Sequence, residues 1–172
     1  MPFSQTLLPE FDEEMKNTRK MLERVPDGKS DYKPHPKSMT LAQLATHIAQ
    51  LPGWTKETLD LEVLEIGPDY KPDLFTTREE LLSVFDKCVA VAREKIAKAT
   101  DEDWQVNWQF KYNGQIVISM PRAAVMRSVV MNHLIHHRAQ LGVYLRLNDV
   151  AIPGMYGPSA DEMAAMEAVQ TA

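Results

Sequence analysis

The stretch NHLIHHR, residues 132–138, is the part of the sequence on which both the fold and the site depend. His133 and His137 are four residues apart, and side chains at this spacing lie on the same face of an α-helix, about 5–6 Å from each other. Two imidazoles in this arrangement can bind one metal ion. The alternative is a histidine pair with no ligand role, which the spacing alone leaves open.

A third histidine, His47, lies in the earlier stretch LAQLATHIAQL, residues 41–51. On a helical wheel its neighbours on the same face are apolar, and the same holds for the face of the last helix that carries the histidine pair. The members of that second face are Met126, Val130, His133, His137, Gln140 and Tyr144. A polar ring in such a position needs a hydrogen bond or a metal. A hydrogen-bonded core histidine is the alternative for His47.

Hydrophobic periodicity predicts four long helical segments. They run from about Ser4 to Arg24, from an N-cap at Ser38 towards Leu64, from a capping box at Thr76 or Thr77 to about Ala99, and from Pro121 to about Leu147. Pro52-Gly53 is expected to kink or break the second segment shortly after His47.

A two-residue period separates the third and fourth segments. Val106, Trp108, Phe110 and Tyr112 alternate with polar residues, as in a half-buried strand. Asn113-Gly114 then predicts a tight hairpin turn, with residues 116–118 in the return strand. The sequence therefore predicts one domain over residues 1–172, an all-α four-helix bundle with a small β-hairpin insertion before the last main helix.

Composition excludes several classes of protein. The net charge is −5 and there is no basic stripe, so we expect no binding to nucleic acid. No run of about 20 residues is continuously apolar, so we expect no membrane span. The N-terminal residues do not resemble a secretion signal, and the single cysteine, Cys88, excludes an internal disulfide bond. We therefore expect a cytoplasmic protein.

Three motifs together resemble the DinB superfamily: LAQLATHIAQLPGW at residues 41–54, HLIHHRAQLGVYLR at residues 133–146 and PGMYGPS at residues 153–159. The resemblance implies a four-helix bundle that binds a divalent metal, usually zinc or nickel, through three histidines. Carried onto this sequence, the ligands are His47, His133 and His137. Ala139 stands where such proteins often have glycine, a departure that leaves the ligands intact.

The resemblance also implies a homodimer, as in many family members. Apolar residues beyond the histidine face, namely Val129, Leu134, Leu145 and Leu147, would be buried by a two-fold interface. Packing within the monomer is the alternative for these residues.

Three neutral imidazoles leave a coordination position open, which distinguishes a catalytic zinc site from a structural one. Two enzymatic functions are compatible with such a site: activation of a low-molecular-weight thiol for transfer to a small-molecule substrate, or activation of water for hydrolysis. The resemblance favours thiol transfer, because some relatives use thiol cofactors. A non-catalytic bundle that binds a small molecule or a partner is the third hypothesis.

Tyr144 and His136 are the candidate catalytic residues. Tyr144 is on the histidine face and can donate a hydrogen bond to a ligand or a substrate, although an aromatic core role is the alternative. His136 is at the edge of that face and is either a general base, a residue that supports the ligands or a solvated side chain.

Overall fold

A computed structural model describes residues 1–170 of the chain. Its helices are α1 (Phe3–Leu22), α2 (Leu41–Gln50), α3 (Trp54–Asp60), α4 (Arg78–Lys98), α5 (Asp101–Gln105), α6 (Arg122–Val125), α7 (His133–Arg146) and α8 (Ala160–Gln170). A 3₁₀ turn, Leu51–Gly53, joins α2 to α3, and a π-helical segment, Met126–Asn132, joins α6 to α7. The strands are β1 (Val63–Ile66), β2 (Asn107–Tyr112) and β3 (Gln115–Pro121).

The prediction of a mostly helical fold is confirmed, but the count of four helices is not. The second predicted segment is divided at Leu51–Gly53, as Pro52-Gly53 suggested, because proline cannot donate the backbone hydrogen bond that a continuous α-helix needs. The fourth segment is divided by the π-helical segment. A continuous α-helical wheel over residues 121–147 is therefore wrong upstream of His133.

Capping residues define where the helices begin. α4 begins after Thr77, whose side chain and that of Glu80 form the predicted capping box. The N-cap at Ser38 is wrong: α2 begins after Thr40, whose Oγ1 accepts from the Gln43 backbone N–H at 3.1 Å. The Gln43 side chain accepts in return from the Thr40 N–H at 2.8 Å, so that two otherwise unpaired donors are satisfied.

The hairpin before the last main helix is present, and it belongs to a three-stranded sheet. β2 and β3 are antiparallel, and Asn113 and Gly114 between them both have positive φ, 50° and 75°, as a tight hairpin turn requires. β1 pairs in parallel with β2. The expected helix up to Leu64 is therefore wrong, because residues 63–66 find their hydrogen-bond partners in β2, more than forty residues away.

The core lies between α1, α2, α4 and α7, with Phe11, Ile48, Phe85 and Leu141 almost completely buried in it. Leu134 and Leu145, two of the residues predicted to lie in a dimer interface, are fully buried in this same core, whereas Leu147 is exposed. These two leucines therefore pack within the monomer and are not available for a dimer interface. Across residues 1–170, no helix combines the length and the apolar character needed to cross a membrane.

Candidate metal centre

The packing of α2 against α7 brings the three predicted ligands together. His47 Nε2 lies 3.3 Å from His133 Nε2, and His133 Nε2 lies 2.8 Å from His137 Nε2. One ligand atom from each of the three residues falls within 4.8 Å of the other two. All three side chains are half-buried. His133 Nε2 is thus close to the Nε2 atoms of both other residues, and the His47 and His137 rings also contact each other, with centroids 4.8 Å apart.

Hydrogen bonds on the far side of two rings determine which nitrogen carries the proton. His133 Nδ1 donates to the Val129 carbonyl oxygen at 3.2 Å, and His137 Nδ1 donates to Gln140 Oε1 at 2.8 Å. Both neutral rings therefore present the lone pair of Nε2 towards the cluster. Two lone pairs at 2.8 Å repel each other unless a cation lies between them. This donor pattern fits a metal site.

Burial keeps the rings neutral. It is the largest cause that lowers the pKa of His47, to about 4, and the nearby His137 and His133 lower it further. Burial is also the main cause that lowers the pKa of His133 and of His137. Because only the unprotonated imidazole binds a metal, these shifts favour the ligand form at neutral pH.

One of the two Nε2–Nε2 separations agrees with the dimensions of a tetrahedral zinc site. Two nitrogens bound to one zinc ion at about 2.0–2.1 Å in a tetrahedron lie about 3.3–3.4 Å apart. The separation between His47 and His133 matches this value, and that between His133 and His137 is shorter. Among the described residues, no cysteine, carboxylate or fourth histidine joins the group. The group can therefore hold a divalent ion and leave a coordination position open.

Two cavities border the cluster. One, of about 350 Å³, is lined by His47 together with Trp54, Ile66, Tyr70 and Asp73. The other, of about 400 Å³, is lined by His137 together with Ser38, Gln140 and Tyr144. Met39 lines both. The cluster is accordingly accessible to small molecules from two directions.

Neither candidate catalytic residue is bonded directly to a ligand nitrogen. The Tyr144 hydroxyl donates to the Met39 carbonyl oxygen at 3.1 Å, so its proton is already engaged, and the residue is largely buried. His136 is exposed, and its Nε2 accepts from the Gln140 side-chain amide at 3.0 Å. This contact orients Gln140 so that its oxygen faces His137. The helical wheel placed Gln140 on the histidine face but did not predict its hydrogen bond to His137. Residues three apart are neighbours on a helix surface, so this spacing is the signal that could have indicated the contact.

A residue of a buried ion pair, Arg138, directly follows the candidate ligand His137 in the chain. Arg138 Nη2 lies 2.7 Å from Glu14 Oε2 of α1, and the Arg138 side chain is 2% exposed. Arg138 Nη1 donates to Thr18 Oγ1 at 3.1 Å, and the Tyr156 hydroxyl donates to Glu14 Oε1 at 2.8 Å. Sequence reasoning missed this network, which attaches the ligand-bearing helix to α1 and to the segment after α7.

Comparison with known proteins agrees with the fold and with the resemblance to the DinB superfamily. The model of the DinB family matches residues 1–171. The uncharacterized protein YrdA of Bacillus subtilis (strain 168) is 24% identical over 157 residues, which cover 91% of this chain and 90% of YrdA.

Two solved structures share the fold. A DinB-like protein from Bacillus cereus ATCC 10987 superposes with a TM-score of 0.72 at 23% identity, over 90% of this chain and 98% of the other. The DinB-like protein YjoA from Bacillus subtilis gives a TM-score of 0.65 at 16% identity, over 87% of this chain and 97% of the other. Since the family model covers nearly the whole sequence, the chain belongs to the DinB family.

Proposed function

We propose that the protein is a metal-dependent enzyme that activates a low-molecular-weight thiol for S-transfer to a small electrophile. One observation carries the proposal: three Nε2 atoms converge with no fourth protein ligand among the described residues, and they do so between two cavities. A structural zinc ion is normally saturated by four protein ligands, so an open set favours catalysis.

A divalent ion in this site would keep a bound thiol deprotonated, and hence nucleophilic, at neutral pH. The protein itself orients the rings that would bind this ion. Gln140 and the Val129 carbonyl oxygen hold two ligand rings in the required tautomer. In the transfer, the thiol sulfur bonds to an electrophilic carbon, the leaving group departs with the electron pair of the broken bond, and the thiol proton passes to solvent.

The cluster borders two separate cavities, which supports a reaction with two substrates. The cavity at His47 combines the apolar walls of Trp54 and Ile66 with the polar side chain of Asp73, so it can hold a carbon electrophile that carries a polar group. The cavity at His137 combines Ser38 with the apolar Leu44, so it can hold a small thiol with a polar end. Hydrolysis needs only one organic substrate, so this pair of cavities favours transfer over hydrolysis.

The test of the reaction compares wild-type protein with His133→Ala after reconstitution with zinc or nickel. Both are assayed with a panel of low-molecular-weight thiols, 1-chloro-2,4-dinitrobenzene as electrophile and p-nitrophenyl acetate as ester. We expect thiol-dependent turnover that His133→Ala abolishes and that His35→Ala, an exposed loop histidine, retains. Equal rates in wild type, His133→Ala and metal-stripped protein would remove the metal from the mechanism. Ester turnover that needs no thiol would instead identify a hydrolase.

Metal content gives a separate test of the site. We expect His47→Ala, His133→Ala and His137→Ala each to lose most of the bound zinc, because two imidazoles bind far more weakly than three. His35→Ala is the matched control, because it removes a histidine outside the cluster. Stoichiometric zinc in all three single variants, measured by atomic emission, would refute the ligand assignment. Full zinc content without turnover of any substrate would leave a binding protein rather than an enzyme.

A further inference from the structure

The helix that carries two of the three candidate ligands widens just before the first of them. Met126–Asn132 is a π-helix, in which backbone N–H groups reach five residues back instead of four. Its sequence, MRSVVMN, contains neither proline nor glycine. The Ser128 hydroxyl donates to the Ala124 carbonyl oxygen, four residues back, at 2.7 Å, and this side-chain bond accompanies the change in winding. π-Helical turns are rare in proteins, and those that do occur are often found at functional sites.

The change in winding alters the hydrogen bonding at His133. In a regular α-helix the His133 N–H would donate to the Val129 carbonyl oxygen, four residues back. Here that N–H, at the end of the π-helical segment, donates to the Val130 carbonyl oxygen instead, three residues back. The Val129 carbonyl oxygen lies 3.2 Å from His133 Nδ1. The imidazole has thus taken the acceptor that the main-chain N–H of the same residue would use.

We propose that the π-helical segment is a positioning device for the metal centre: it releases the Val129 carbonyl oxygen from the main-chain N–H of His133 and makes it the acceptor for the His133 ring. The bond places the proton of that ring on Nδ1 and directs Nε2 at the cluster. His133 Nε2 lies within 3.3 Å of the Nε2 atoms of both His47 and His137, so rotation of this ring would move its nitrogen away from both.

The contrast with His137 supports this role. His137 lies within the regular part of α7, and a side chain, Gln140, accepts from its Nδ1. His133 has a main-chain acceptor instead, and that acceptor lies within the π-helical segment. The inference rests on metal binding as in the proposed function, and it is independent of which thiol or electrophile the protein uses.

A backbone ester tests the carbonyl without changing any side chain. Replacement of Val130 by its α-hydroxy acid turns the Val129 carbonyl into that of an ester, a weaker acceptor, and removes the Val130 N–H. The matched control is the same replacement at Val125, which also removes one helical N–H. Both valines are fully buried. The two full-length proteins therefore differ in which carbonyl is weakened, and equal helical circular dichroism establishes that both fold.

Zinc affinity is measured by competition with a chromogenic chelator. We expect the Val130 ester to bind zinc about 10-fold or more weakly than wild type, the usual effect of losing a support to a ligand, and the Val125 ester to retain wild-type affinity. Equal affinity in the two esters, whether retained or lost, would overturn the positioning role while leaving the proposed thiol chemistry open.

A second readout does not require metal. In the metal-free protein, ¹⁵N chemical shifts of the His133 ring are expected to report the Nδ1–H tautomer in wild type and in the Val125 ester, and a mixture of tautomers in the Val130 ester. If the wild-type protein binds no zinc, the proposed function fails and the tautomer measurement still decides the role of the carbonyl. An unchanged tautomer in the Val130 ester would overturn the inference.

Discussion

Arg138 Nη2 and Glu14 Oε2 are 2.7 Å apart in the interior of the bundle, although 124 residues separate them in the sequence. The pair joins α7 to α1 at the residue that follows the candidate ligand His137. Burial of two charges is costly, so the stability of the pair depends on its hydrogen bonds to Thr18 and Tyr156.

Removal of one partner of this pair is expected to be strongly destabilising. Arg138→Ala leaves the Glu14 carboxylate buried and unpaired, which typically lowers the free energy of unfolding by about 3–5 kcal/mol. The double variant Glu14→Gln/Arg138→Met should recover much of the loss, because it removes both charges. Urea denaturation provides the measurement.

The control for this prediction is Arg127→Ala. Arg127 pairs with Glu10, and both side chains are well exposed. Such surface pairs contribute at most about 1 kcal/mol. If Arg127→Ala and Arg138→Ala lowered the free energy of unfolding by similar amounts, the buried position of the Arg138–Glu14 pair would not be the source of its stabilising effect.

The histidine cluster predicts that the metal-free protein loses stability in acid. The pKa of His47 is lowered to about 4, mainly by burial, whereas the unfolded chain has its ordinary value of 6.5. Between these values the unfolded state binds a proton that the folded state does not, so stability falls as the pH drops from about 6.5 towards 4. Above pH 6.5 His47 is neutral in both the folded and the unfolded state, so it adds no pH dependence to the free energy of unfolding.

Urea midpoints of metal-free protein between pH 7.5 and pH 4.5 measure this effect. In His47→Ala the decline should be shallower, while His35→Ala should follow wild type, since His35 lies outside the cluster in an exposed loop. An equally steep decline in His47→Ala and wild type would show that other groups cause the acid sensitivity.

Thr46 is predicted to hold the loop that walls the cavity at His47. Its buried Oγ1 accepts from the Phe75 N–H at 2.9 Å and donates to the Phe75 carbonyl oxygen at 3.3 Å. Thr46→Val keeps the shape of the side chain but removes both hydrogen bonds, which should lower the free energy of unfolding by about 1–3 kcal/mol. Faster proteolysis within residues 67–76 would show that the loop is released. Thr6→Val, at an exposed position of α1, should leave both stability and proteolysis unchanged.

Homodimerisation stays a prediction. With Leu134 and Leu145 inside the core, the exposed apolar residues at the end of α7 are Val143 and Leu147, at 58% and 56% exposure. They border an apolar cavity of about 490 Å³ that Ile152 and Met155 also line. We expect a dimer mass by light scattering and a shift towards monomer in Val143→Asp. A monomer mass for wild type across a wide concentration range would contradict the prediction.

Local signals in the sequence predicted the elements whose determinants are local. The capping box of Thr77 and Glu80 starts α4, and Asn113-Gly114 forms the hairpin turn, because both act within a few residues. The four-residue spacing of His133 and His137 places their rings side by side on one helix. The apolar helical face around His47 marked it as a further candidate, and the resemblance to DinB proteins connected it to the pair.

The tertiary structure decided what depends on distant partners. β1 is a strand because β2 supplies its hydrogen bonds, and Arg138 is buried because Glu14, far away in the sequence, compensates its charge. The π-helical segment contains neither proline nor glycine, so the sequence did not predict the change in winding. By itself, the sequence determined which side chains can bind a metal. Packing determined that three of their nitrogens converge, because the direction of an imidazole depends on acceptors that only the folded backbone brings into place.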